Sequence, residues 1–199
     1  MGVLNDRTIG VHCVYLTEND LQLLKQHKVG VAHNPESNMK VAAGVSPVQK
    51  MLDLGIAVGI GTDGAASNNN LNMFEEMNMT AKLHKITQKN PTVLKAKDVV
   101  KMATIYGARA LNMDQDIGST EIGKKADFIL CDLNKPHLTP LYNEYSQIVY
   151  AMQASDVETV VIDGRVIMEN QQLLTIDEPG VLANIRTLAK DINFEFIEH

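Results

Sequence analysis

The sequence predicts an α/β protein in which parallel strands joined by crossover helices give way to a small β unit and then a terminal helix. Three observations carry that expectation. Short apolar runs alternate with helix-period segments through the first third of the chain. Beyond Ile117-Gly118 the period becomes that of strands, and Asp163-Gly164 ahead of Arg165-Val166-Ile167 is a hairpin signal. Near the end, Leu182, Ile185, Leu188 and Ile192 recur on one helical face.

Taken in order, residues 8–16 read as the first strand, interrupted by His12. Thr17 can cap the helix that follows, with Asp20 at the capping-box position and Leu21 and Leu24 on its apolar face. Residues 29–32 form a second strand that runs into His33-Asn34-Pro35, and residues 36–44 read as a polar loop. Ser46 is placed to cap a helix with Pro47 at its first position, Val48, Met51 and Leu52 on one face and Gly55 as its stop. A third strand over 56–61 delivers Thr62-Asp63-Gly64 to the loop beyond its end. Helices are expected over 71–86, where Phe74, Met77, Ala81 and Leu83 recur, and over 97–111, where Val99, Val100, Ala103 and Ala110 do. Strands follow over 126–133, 148–152 and 157–162, and a helix over 179–196 closes the chain. This divides the chain at 1–115, 116–175 and 176–199. Three parallel strands alone would leave open edges and uncovered faces, so part of the sheet is expected to come from elsewhere and copies of the chain to associate as homo-oligomers.

Composition excludes several function classes. With 199 residues and 45% hydrophobic content, the chain can bury a sizeable core. Its 18 Lys and Arg against 24 Asp and Glu give a net charge of -6 with no block of like charges, which argues against nucleic acid as partner. No stretch approaches the roughly 18 apolar residues of a membrane span. The first seven residues lack a basic region followed by an apolar one, so a cytoplasmic protein is expected. Cys13 and Cys131 form no CxxC and too small a set for a disulfide framework, so both read as buried free thiols.

The strongest chemical signal is Gly61-Thr62-Asp63-Gly64-Ala65-Ala66-Ser67-Asn68-Asn69-Asn70, just past a buried strand. An aspartate there can ligate a metal or move a proton. The competing reading is a helix cap, but Asp63 lies several residues ahead of the helix and Ser67, Asn68 and Asn69 are better placed for that role. His12 alone would read as a core histidine. Its company changes that, because parallel strands would bring His12, His33 and Asp63 to one C-terminal rim, where such sheets build their sites. Glu36-Ser37-Asn38-Met39-Lys40 could wall the pocket, although Glu36 and Lys40 read more simply as solvated. Met73, Met77 and Met79 read as helix packing, His84 as a helix-surface residue and His137 as a loop residue, neither with a visible partner, and Glu75-Glu76 as satisfying a helix dipole.

His12-Cys13-Val14, His33-Asn34-Pro35-x-Ser37-Asn38-x-Lys40 and Gly61-Thr62-Asp63-Gly64-Ala65-Ala66-Ser67-Asn68-Asn69 resemble the amidohydrolase superfamily, most closely its methylthioadenosine/S-adenosylhomocysteine deaminases. Ile117-Gly118-Ser119-x-Glu121-x-Gly123-x-x-Ala126-Asp127 resembles the exit from that family's barrel into a small β-sandwich. The resemblance implies the C-terminal part of a (β/α)8 barrel, followed by a β-sandwich segment and the terminal helix. It implies one divalent metal ion, usually zinc, with iron or another divalent ion as alternatives. Asp63 matches the aspartate that touches the metal and takes the proton of its water; His12 matches the histidine that orients that water; Ser67 would support Asp63 from behind. Asp63 and His33 are the candidates to contact a purine nucleoside substrate. The family's HxH pair, fifth-strand histidine and HxxE glutamate have no counterpart here.

The activity implied is hydrolytic deamination of adenosine-type nucleosides such as 5'-methylthioadenosine and S-adenosylhomocysteine. Chloro-triazine hydrolases and guanine deaminases are the alternative relatives. The chain is expected to be inactive alone and to need the missing N-terminal half of the barrel, because a catalytic zinc takes three protein ligands. The competing class of reading is a non-catalytic half that associates with a separate partner chain.

Overall fold

The computed structural model describes residues 2–190. Strands β1 (Ile9–Val11), β2 (Gly30–His33) and β3 (Val58–Ile60) form a parallel sheet in the order β1-β2-β3. Helix α1 (Glu18–Gln26) makes the first crossover, and α2 (Pro35–Lys40) and α3 (Val48–Asp53) share the second. Past β3 come α4 (Ala65–Asn68), α5 (Met73–Gln88), α6 (Ala96–Met102) and α7 (Ile105–Ala110). A four-stranded antiparallel sheet then combines β4 (Phe128–Cys131), β5 (Val157–Ile162), β6 (Arg165–Glu169) and β7 (Gln172–Leu173), with α8 (Glu144–Tyr150) inserted between β4 and β5. Helix α9 spans Glu178–Lys190.

Local chemistry explains several boundaries. The α1 capping box forms as expected: Thr17 accepts from the Asp20 amide while the Asp20 carboxylate accepts from the Thr17 amide. Asp163 and Gly164 both take positive φ, 51° and 75°, the conformation of a two-residue hairpin turn between β5 and β6. The core lies between the parallel sheet and its helices, where Val31, Val58, Leu21, Met51, Val99 and Met102 are essentially inaccessible. Two glycine contacts seat α7 on the sheet. A Cβ on Gly30 would fall 2.1 Å from the Ala110 carbonyl oxygen, and one on Gly59 would fall 2.8 Å from the Gly107 Cα.

Parallel register places the strand ends level. Val11 pairs with Ala32 and His33 with Ile60, and the ladder continues through His12 N–H to Ala32 (3.0 Å) and Gly61 N–H to His33 (2.9 Å). His12, Asn34 and the loop carrying Asp63 therefore leave the sheet on one side.

Several expectations are corrected. The first strand ends at Val11, because His12 and Cys13 take positive φ (65° and 49°) and turn the chain out of the sheet. Residues 36–44 are not simply a loop: α2 starts at Pro35, whose fixed φ suits the first helical position. Ser46 does not cap α3; Pro47 occupies that position, and the Ser46 hydroxyl donates to the Cys13 carbonyl instead. The helix expected over 97–111 breaks into α6 and α7 at Ala103-Thr104. In place of the strand expected over 148–152, residues 148–150 form the end of α8, which begins where Asn143 accepts from the Ser146 amide and packs on α5 and α6. The thiols are half-buried rather than buried. Val181, Leu182, Ile185 and Leu188 on α9 are exposed, and residues 191–196 of the expected helix lie outside the described residues.

Candidate active site

Asp63 sits just past β3 with φ of 60°, a left-handed conformation that is uncommon for a non-glycine residue and collects at functional sites. The turn aims its carboxylate back over the sheet end. Two hydroxyls meet it there: Ser37 of α2 and Ser67 of α4 each donate to Oδ2 at 2.7 Å. These two, in that order, with the Gly64 backbone after them, hold the carboxyl down at about 2, so Asp63 is ionised throughout the neutral range. Both serines use Oδ2, which among the described residues leaves Oδ1 free of side-chain hydrogen bonds.

His12 faces the same place from β1. Its Nδ1 donates to the side-chain oxygen of Asn38 at 2.8 Å, which fixes the ring tautomer. Nε2 then points inward and stands 3.8 Å from Asp63 Oδ2. Asn38 is itself buried, and its Nδ2 has no partner among the described residues. An open cavity of about 430 Å3 lies over this group, with Val11, Val14, Tyr15 and Val41 on its walls beside His12, Asp63 and the serines. That volume suits a small molecule.

The structure therefore joins His12, Asp63 and Ser67, and adds Ser37 and Asn38. It does not bring His33 into the cavity. Along β2 the side chains alternate faces, and His33 points to the helical layer, fully buried, with Nε2 3.2 Å from Nε2 of His84. His84 is a buried partner in α5 rather than a helix-surface residue. His137 also has a partner, since its Nε2 lies 2.9 Å from the buried Asp156 carboxylate. Among the described residues no three His, Cys, Asp or Glu side chains converge as a metal cluster would.

The histidine pair makes stability depend on pH. Burial, then His84, pushes His33 down to about 3; burial, then Lys85, pushes His84 down to about 4. Both are neutral in the fold, whereas in the unfolded chain they titrate near 6.5. Their contribution is complete above about 6.5 and is lost as the pH falls towards the folded values, because the unfolded chain then binds the extra protons. Comparing urea unfolding of wild type and His84→Gln isolates one of them. The variant should gain about 2 kcal/mol relative to wild type between pH 7 and pH 5. A difference that does not vary with pH would remove the neutral-pair account.

Sequence reasoning passed over Glu76, which it assigned to the α5 dipole along with Glu75. Glu75 does sit at the surface, but Glu76 is fully buried behind the serine pair. The signal available was position: Glu76 lies on the same helical stripe as Met73 and Thr80 and one residue from Met77, facing inward.

Residues 1–167 match the amidohydrolase family. The chain is 50% identical over 192 residues to 5-methylthioadenosine/S-adenosylhomocysteine deaminase 1 of Syntrophus aciditrophicus, covering 96% of this chain and 43% of the relative. It is 46% identical to the 5'-deoxyadenosine deaminase of Methanosarcina acetivorans, covering 96% and 44% respectively. Among solved structures, the adenosine deaminase of Xanthomonas campestris with bound zinc superposes with a TM-score of 0.92 at 38% identity, over 96% of this chain and 43% of that one. The chain thus spans less than half the length of the relatives it matches.

Proposed function

The chain belongs to the amidohydrolase family, and from that premise we propose that it is the Asp63-bearing part of a hydrolytic deaminase acting on adenosine-type nucleosides of the 5'-methylthioadenosine and S-adenosylhomocysteine class. The observation that carries this is the pairing of an ionised, doubly hydrogen-bonded Asp63 with an oriented His12 across one cavity. On this reading the parallel strands are a sector of a (β/α)8 barrel and the antiparallel strands part of a β-sandwich. Polypeptide corresponding to the rest of the relatives' length would close the barrel, in the same chain or as a separate partner.

The donor set fits a divalent metal in part. Asp63 Oδ1 is open as one ligand, and the other protein ligands of a three-ligand zinc site would come from the remainder of the barrel. When bound, such an ion supplies a water that ionises near neutral pH. The chain's own residues do the rest. Asp63, ionised at working pH, accepts the proton of the attacking water and returns it to the nitrogen that departs as ammonia. Oxygen is gained at C6 of the purine as the C–N bond breaks. His12 holds the water in line through Nε2, its ring fixed by Asn38. The walls formed by Val11, Val14 and Tyr15 give an aromatic or apolar ligand a surface to pack on.

The test is ammonia release from 5'-methylthioadenosine and S-adenosylhomocysteine by the full-length polypeptide with zinc. Turnover of either is expected, and turnover of neither would overturn the substrate reading. The 199-residue chain alone should release no ammonia and retain well under one equivalent of metal. Stoichiometric zinc together with deamination by this chain would contradict that.

A further inference from the structure

Beneath the Asp63 clamp lies a second carboxylate. Glu76, in the first turn of α5, is fully buried, and each of its oxygens is engaged. Oε2 accepts the Glu36 backbone N–H at 3.3 Å, and Oε1 accepts from the Asn68 side-chain amide. Asn68 also donates to Glu36 Oε2 at 3.3 Å and accepts the Leu71 amide at 2.9 Å. Glu36 is the neighbour of Ser37, and Asn68 is the neighbour of Ser67. One carboxylate from a long helix therefore pins the two short helices, α2 and α4, at the residues adjoining the hydroxyls that grip Asp63.

We propose that Glu76 is a positioning residue that sets Ser37 and Ser67 at bonding distance from Asp63. Dipole compensation requires no burial, as exposed Glu75 beside it shows. A buried carboxylate is costly unless its oxygens are paired, and here both pairings fall on the two segments that must stay in register. An amide in its place offers one acceptor and turns its NH2 towards a donor, so at least one segment is released. Burial pushes the Glu76 carboxyl up to about 7, against the pull of the Glu36 amide. The other ionisable groups facing it are Glu36 on α2 and Glu75 on its own helix, while α4 contributes only the Asn68 amide.

The inference rests on Asp63 being the reacting carboxylate, and the experiment reads the geometry of the clamp, so its failure is separable from failure of the deaminase reading. Crystal structures of wild type and Glu76→Gln at pH 8 are compared at the two distances from the serine hydroxyls to Asp63 Oδ2, both 2.7 Å in wild type. Glu76→Gln should part at least one of the two serines from Oδ2 to beyond about 3.5 Å. Both hydroxyls still at bonding distance in Glu76→Gln would overturn the proposal. Wild type supplies a second measurement independent of whether the variant folds. The Ser37 and Ser67 amide resonances should shift with the titration midpoint of the Glu76 carboxyl, and amides blind to that event would equally refute it.

Discussion

Replacing Asp63 by Asn in the full-length polypeptide is expected to lower kcat for deamination by about ten-thousand-fold, the upper range for removing a positioned proton acceptor. Asparagine keeps the size of the side chain and an oxygen for Ser37 and Ser67, both 2.7 Å from Oδ2 in wild type, so the loop should hold its shape. What it cannot do is take a proton, and it is a weaker ligand for a hard cation. The effect should therefore fall on kcat and on metal retention, with nucleoside binding much less altered. Steady-state kinetics and metal content of the purified variant check this together. A variant retaining a tenth of wild-type kcat would show that Asp63 is only a hydrogen-bonded loop residue, and the proposed mechanism would lose its base.

The largest expected effect on stability comes from one hydrogen atom's replacement on β2. A Cβ at Gly30 meets the carbonyl oxygen, carbonyl carbon and Cα of Ala110 at 2.1, 2.7 and 2.8 Å, all of them backbone atoms that no rotamer change can move. Gly30→Ala must push the end of α7 off the sheet, breaking packing around buried Ala108 and Ala110. Overpacking of this kind costs about 3 kcal/mol, which for a chain of this size lowers Tm by about 10 °C. Gly55→Ala is the comparison, since nothing lies within 4 Å of a Cβ there and only its φ of 78° opposes the change. Thermal unfolding that ranks Gly55→Ala as the more damaging would place α7 away from β2.

Much of this architecture was legible where local chemistry and tertiary packing agree. Thr17 and Asp20 announce α1, and the core faces of β2 and β3 are continuous apolar runs because helices cover them. Legibility failed where polar contacts replace apolar periodicity. α2 buries Ser37 and Asn38 rather than a hydrophobic stripe, so nothing in its pattern distinguishes it from a loop. In α8, Ile148-Val149-Tyr150 has strand-like composition, and the helix exists because its N-terminus is capped and Val149 is buried against α5 and α6. The site shows the same division. His12 and Asp63 could be found from strand ends alone. The outward face of His33, the grip of Ser37 and the depth of Glu76 depend on which way side chains point once the strands are in register.

Among the described residues, the three-stranded sheet leaves β1 bonded only to β2, and β3 only to β2. These free borders are unlike each other, so the parallel order can be continued only by setting the β3 side of one molecule against the β1 side of the next. Such head-to-tail addition has no internal stopping point unless the rotation closes a ring. On the proposed reading as a sector of an eight-stranded barrel, three strands per copy never sum to eight. Self-association through these borders would then build open-ended polymers, and a dissimilar piece of polypeptide supplying five staves would terminate growth.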